Sequence, residues 1–424
     1  MSAWMITRPG GAAVAVAAPS PPPPPAPPPP TTAARVAAAA DLRRAGQLEA
    51  ACAALDDALR RDPLHLGALL ARGRLRQELG DLPGARRDLD HAALLHAYAP
   101  AAWARRALVR LEQGDVAGGF NDAAQASRLD NRVALARLAR GAAWVARGLD
   151  VAAIAELDAA LGYDAGEALI LGYRALARRK QGDAARERLD LERALELDPH
   201  HPWLLGQRGI TALNAGQFDA AEADFARAVA LAPRSGIAWA NLGGARLRLG
   251  RTAAALEAFD RGLEVSAPTA TLSHGRGVAL AALGRHIAAE AELTRALAFL
   301  PGDPVALELR AGARAALGDV AGAIDDLDQA LKRVPDHAAG LEQRGTLHLV
   351  RGDHDQALRD LDRALALDAS SATAYLVRGA ARARAGQAEA AVEDLARFLD
   401  LAPDHERADE ARELLRQLSA SRAR

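Results

Sequence analysis

The chain has 424 residues, of which 50% are hydrophobic but only 4% aromatic, so any core is built mainly from Ala, Leu and Val and must pack closely. Its 53 Lys and Arg residues balance 54 Asp and Glu residues for a net charge of -1, which argues against a surface made to neutralise phosphates. Cys52 is the only cysteine, which excludes an intrachain disulfide and a Cys-based zinc site, and no apolar run reaches the length of a membrane span.

At the N-terminus Arg8 precedes the short apolar run 13-AVAVAA-18, a faint likeness to a secretion signal. The run leads straight into proline, so a cytoplasmic chain is the expectation. Residues 19–30, PSPPPPPAPPPP, lack backbone N–H groups and have fixed φ. They predict an extended polyproline II spacer, acting as a stalk rather than a ligand for proline-binding modules. Residues 1–31 are therefore read as a disordered Pro-rich segment.

From Thr32 the chain is periodic. Glycine stands at Gly46, Gly80, Gly114, Gly148, Gly182, Gly216, Gly250, Gly284, Gly318, Gly352 and Gly386, each 34 residues after the last. With these glycines at position 15 of a unit beginning at Thr32, eleven units run to residue 405. Position 8 is Ala or Gly throughout, while positions 20 and 27 are nearly always Ala. Position 32 is proline at Pro63, Pro199, Pro233, Pro301, Pro335 and Pro403. One unit then reads as two antiparallel helices. Glycine ends the first in the left-handed conformation, small residues allow close approach, and proline separates the units. Asp81, Asp115, Asp183, Asp319 and Asp353, each following its glycine, are candidate caps of the second helix.

This pattern resembles the tetratricopeptide repeat, a 34-residue helix-turn-helix family. Trp103 and Trp239 fall at its aromatic position 4, and Trp144 at its aromatic position 11. Unit 1 departs from it with Arg35 at position 4, and units 3 and 4 have Asn131 and Ala165 in place of the closing proline. The resemblance implies an all-α solenoid over residues 32–405, wound as a right-handed superhelix with first helices lining its concave face. Residues 406–424 read as a capping helix and tail covering the last apolar face. The Arg-Gly-Asp tripeptide at 351–353 occupies positions 14–16, an inter-helix turn, so cell-adhesion recognition is not expected of it.

Position 7 is Arg in nine units: Arg72, Arg106, Arg140, Arg174, Arg208, Arg276, Arg310, Arg344 and Arg378. Position 23 is acidic in the same nine units, and the exceptions lose both partners together, Ala38 with Ala54 and Leu242 with Ala258. Matched loss predicts a structural Arg–carboxylate pair joining the two helices of each unit.

Ligand contacts in the family come from concave positions 2, 5, 9, 12 and 13. Those 55 positions hold only eleven charged residues here. The apolar middle, with two polar neighbours, gives the candidate protein-binding residues Leu138, Val145, Leu169, Leu176, Trp203, Ile210, Leu213, Asn214, Ile237 and His274. Lys and Asn at positions 5 and 9, which clamp a peptide carboxylate in some members, occur in no unit, so that mode is disfavoured. An apolar groove suits an apolar or helical peptide. The alternative is that these side chains merely pack against neighbouring units. Trp203 favours a site, because stacking does not require an aromatic at position 2.

No catalytic, cofactor-binding or metal-binding constellation stands out. His200 and His201, His91 and His96, and Asp353-His354-Asp355 read as surface features, and Arg178-Arg179-Lys180 as a solvated helix end. The expectation is a non-catalytic scaffold or adaptor with protein partners. The alternative is a regulatory or assembly subunit of a larger enzyme or secretion complex. A helical-repeat RNA binder fits poorly, since such repeats run at 35 residues and are basic.

Overall fold

The computed structural model describes residues 30–422, so the proline-rich spacer predicted at 19–30 lies almost wholly outside the described residues. Among these residues there are 23 helices and no strands. Every first helix starts at position 1 of its unit, from Thr32–Arg44 to Ala372–Arg384. Every second helix starts at position 17, from Leu48–Arg61 to Ala388–Leu401. The two helices of a unit pack most extensively on each other, and each second helix packs next on the first helix that follows it. First helices of adjacent units also touch one another, which second helices scarcely do. The first helices therefore line the inner side of the curve.

The recurrent glycine does what the turn requires. All eleven have positive φ, between 70° and 92°. At Gly352 a Cβ would meet nothing within 4 Å, so only backbone strain opposes a side chain there. Gly352→Ala is expected to cost about 1 kcal/mol in urea unfolding, the ordinary penalty for a left-handed non-glycine residue. Of the five candidate caps, Asp81, Asp115, Asp183 and Asp319 accept a hydrogen bond from the backbone N–H three residues on. Asp353 does not cap; Arg351 engages it instead. The tripeptide at 351–353 is thus a turn whose Arg and Asp bind each other.

Small residues explain the close approach. A Cβ on Gly73, Gly141, Gly209 or Gly243 would lie 2.6–2.8 Å from the position-24 side chain, respectively Leu89, Leu157, Phe225 and Phe259. At the far end the helix Ala408–Arg422 lays Ala411, Leu414, Leu415 and Leu418 over Leu395 and Phe398, covering the last apolar face.

All nine position-7 arginines meet the position-23 acid of their own unit, sixteen residues on. Seven are two-pronged. Arg344, for example, donates from Nε and Nη2 to the two Asp360 oxygens at 2.8 and 2.7 Å. All of these carboxylates but Glu156 are buried, Asp326 completely. The free Nη1 does further work: Arg72, Arg106, Arg174, Arg344 and Arg378 use it to reach Asp56, Asp90, Asp158, Asp328 and Asp362 at position 25 of the preceding unit. Each such guanidinium ties three helices together, two within its unit and one outside it.

Candidate functional site: a closed inner cavity

The solenoid touches itself. The inner side of units 1–3 meets the loops that precede units 5, 6 and 7. Arg43 donates to Glu78 at 2.8–2.9 Å and, across 155 residues, to Asp198. Arg74 donates to Glu78 at 2.8 Å and lies 3.6 Å from Glu167, which also sits 3.7 Å from Arg105. Leu231 packs against the apolar cluster of units 1–3, and the Gly80 turn lies so close to Ser235 that a Cβ would come within 2.8 Å of the Ser235 backbone.

This contact is ionic and dry. Glu78, Arg105 and His201 are each less than 10% exposed. Burial works to raise the Glu78 carboxyl, but in acid, where His201 takes up a proton, the charges of His201, Arg74 and Arg43 outweigh it and hold it down at about 2. Burial, with Arg74 and Arg43 nearby, pulls the Arg105 guanidinium down to about 10. His201 is lowered by burial despite Glu78 at 3.6 Å, and neither ring nitrogen has a hydrogen-bond partner.

Beside the contact lies a cavity of about 220 Å³ between units 2, 3, 5, 6 and 7. Leu169, Trp203, Ile210 and Ile237 form its apolar side, and Gln77, Glu112, Tyr173 and His201 its polar side. Trp203 stacks on Tyr173, ring centroids 4.7 Å apart, over Gly172, where a Cβ would strike the indole.

Sequence comparison adds the decisive point. Two family models of the tetratricopeptide repeat match the chain, one at residues 345–416 and the other at 207–271 and 308–355, within a series of helix pairs that continues through all eleven units. This is a tetratricopeptide repeat protein. No curated protein matches its sequence. Solved structures similar to the tetratricopeptide chain include the APC/C hetero-tetramer Cut9–Hcn1, at 15% identity over 90% of this chain and 95% of that one, TM-score 0.44. YrrB, a TPR protein with an unusual peptide-binding site, is 18% identical over 43% and 95%, TM-score 0.39. PilW, a widely conserved type IV pilus biogenesis factor, is 22% identical over 57% and 97%, TM-score 0.39.

The ten candidate groove residues of this tetratricopeptide solenoid separate into four sets. Leu169, Trp203, Ile210 and Ile237 come together in the cavity, and Ile237 is 59% exposed. His274 lines a second, more open pocket between units 7, 8 and 9, with its Nδ1 3.4 Å from Asp303. Leu176 and Leu213 pack against apolar clusters, while Asn214 is exposed at a helix end outside the cavity. Leu138 and Val145 are a correction. Both are buried in the core, at 0% and 3% exposure, because close stacking of units 3–5 brings neighbouring helices over them. A ligand reaches neither without separating helices.

Two readings of charged residues are also corrected. His201 is not a surface residue but part of the closed contact. Arg178 and Arg179 are not solvated, and Lys180, though exposed, is tied back to the neighbouring unit. Arg178 donates to Asp190 at 2.7 Å, Arg179 to Glu187 at 2.6 Å, and Lys180 to the carbonyl of Val145 at 2.7 Å. Each satisfies an acid or carbonyl that stacking would otherwise strand. Sequence reasoning missed Arg43, Arg74, Glu78, Arg105, Glu112 and Tyr173. One signal was available: five of the eleven charged inner-face residues, Arg43, Arg44, Arg74, Glu78 and Glu112, fall in units 1–3.

Among the described residues no helix is long and apolar enough to cross a membrane, and no group of three or more His, Cys, Asp or Glu could hold a metal ion. The tetratricopeptide fold supports a role as a protein–protein interaction scaffold.

Proposed function

We propose that this protein is a non-catalytic binding scaffold that takes an extended segment of a partner protein on the inner face of units 5–7, seating one long side chain in the cavity. The observation that carries this reading is the cavity itself, where Leu169, Trp203, Ile210 and Ile237 converge although they come from three units. Its size decides the form of the ligand. A helix is about 10–12 Å across with its side chains, too wide for about 220 Å³. A drug-sized molecule needs about 300–1,000 Å³. One side chain of an extended peptide fits, with the exposed face of Ile237 as the adjoining surface.

The test is selection from a displayed peptide library against the whole chain, with counter-selection on Ile210→Asp/Ile237→Asp after circular dichroism confirms its helix content. Recovered peptides are expected to lose about 2 kcal/mol or more of affinity for the variant, the scale of an interface hot spot. Peptides held equally by both proteins would move the site off this face and end the proposal.

A further inference from the structure

The wall of the cavity carries one exposed carboxylate that has no ion-pair partner among the described residues, Glu112. Of its charged lining residues, Arg74 and Glu78 bind each other at 2.8 Å. Glu112 meets only the side-chain amide of Gln77, also at 2.8 Å, and has no ion-pair partner among the described residues. In a protein where nine repeated arginines each find a carboxylate, a carboxylate left without a cation inside a cavity is the exception. Two further groups in the same wall point the same way. The stacked Tyr173–Trp203 pair offers an aromatic surface that attracts cations. His201, 3% exposed and without a hydrogen-bond partner at either ring nitrogen, offers an acceptor lone pair when neutral.

We propose that this cavity receives the ammonium or guanidinium group of a basic side chain on the partner segment, with Glu112 as its counter-charge and the Tyr173–Trp203 pair as its aromatic wall. The aliphatic stem of that side chain lies along Ile210 and Ile237, as long basic side chains do on apolar surfaces. The inference rests on the peptide-binding reading above and names the residue that such a segment carries.

The electrostatics agree. Glu112 keeps an exposed surface at the cavity, and the protein crowded around it pushes its carboxyl up to about 7, the Gln77 amide opposing. Charged and titratable groups around it are Arg105 on its own helix, Arg74 and Glu78 from unit 2, Tyr173 from unit 5 and His201 before unit 6. Arg74 donates to Glu78 and Arg105 lies 3.7 Å from Glu167, its buried Nη1 without a hydrogen-bond partner, while burial holds Tyr173 protonated and His201 neutral at pH 7. An arriving cation therefore finds Glu112 partly protonated near neutrality and binds best above that point.

The experiment is calorimetric titration of the full chain with acetyl-Leu-Lys-Leu-amide and with its norleucine isostere, at about pH 5.5 and about pH 8. For wild type the lysine peptide is expected to bind roughly tenfold or more tightly at the higher pH, following the fraction of ionised Glu112. Glu112→Gln, shown folded by circular dichroism, is expected to weaken that peptide about tenfold and to remove the pH dependence, while changing the norleucine peptide by less than about twofold. Equal binding of the two peptides, or an unchanged lysine peptide on Glu112→Gln, would overturn the basic-residue inference and leave the peptide cavity standing. Butylamine alone matching the peptide would also overturn it, by making the site one for small amines. If neither peptide binds, the cavity reading falls with it.

Discussion

Arg344→Leu is expected to lower the stability of the chain by about 3–5 kcal/mol, and adding Asp360→Ala to restore most of that loss. The single variant leaves Asp360, 7% exposed, facing its own unit without the two-pronged partner that met both its oxygens. Its remaining neighbour, the Nε2 of His348 at 3.9 Å, is too far for a hydrogen bond. An uncompensated buried carboxylate is what costs most, and the second substitution removes it. The double variant still loses the third contact, from Arg344 to Asp328 in the preceding unit at 2.6 Å. That loss is small, because the Asp328 side chain is 45% exposed and returns to water. Urea unfolding of the wild type, both single variants and the double variant closes the cycle. A double variant no better than Arg344→Leu would show that the pair acts through something other than mutual neutralisation. Unit 7 already supplies a natural comparison: there Leu242 and Ala258, 3% and 1% exposed, fill the place of the pair without charge.

That pair was legible in the sequence because the repeat samples it eleven times. Two exceptions losing both partners together were enough to match position 7 with position 23. The helix boundaries were legible for the same reason, since a glycine every 34 residues fixes the turn and everything else follows from spacing. The third contact of these arginines, to position 25 of the unit before, was obscured by substitution on one side only: Ala124 and Thr294 break the acidic series although the units that follow keep Arg140 and Arg310 at position 7. The closed contact was not legible at all. Arg43 and Asp198, or Gly80 and Ser235, meet once each, at separations of about 155 residues, and a single sequence gives such pairs no second instance to compare. Their meeting depends on the summed curvature of five units, each adding a small rotation set by packing that the period does not encode. For the same reason the groove residues were placed on the correct side of the helices but not sorted into buried and accessible. Leu138 and Ile237 have equivalent standing in the periodic pattern, and only the stacking around them makes one core and the other surface.

The closed contact is the second place where a single change should have a large effect. Glu78→Gln is expected to cost about 3–5 kcal/mol and to open the solenoid, raising its radius of gyration in small-angle X-ray scattering. Glu78 accepts from Arg43 and Arg74 together, and a neutral amide leaves both guanidiniums in a dry contact with only Asp198 and Glu167 to share. Acid should act in the same direction on the wild type, and the signs can be worked out group by group. His201 is held below its ordinary value, so the unfolded chain takes up its proton first and stability falls as pH drops below about 6.5. Glu78 is held at about 2, below the ordinary carboxylate value, so its contribution is present at neutral pH and is lost from about pH 4.5 downward. Opening should therefore begin in mildly acidic solution and complete in strong acid, with Glu78→Gln already open at pH 7.5. Gly80→Ala supplies an independent approach to the same contact. It carries the same left-handed strain as Gly352→Ala, φ 87° against 92°, but its Cβ must also displace the Ser235 backbone at 2.8 Å. The excess destabilisation of Gly80→Ala over Gly352→Ala then measures the closure alone, since strain is common to both. If the two alanine variants lose equal stability and Glu78→Gln scatters like the wild type, units 1–3 do not hold units 5–7 in solution. The inner cavity would then be an open groove.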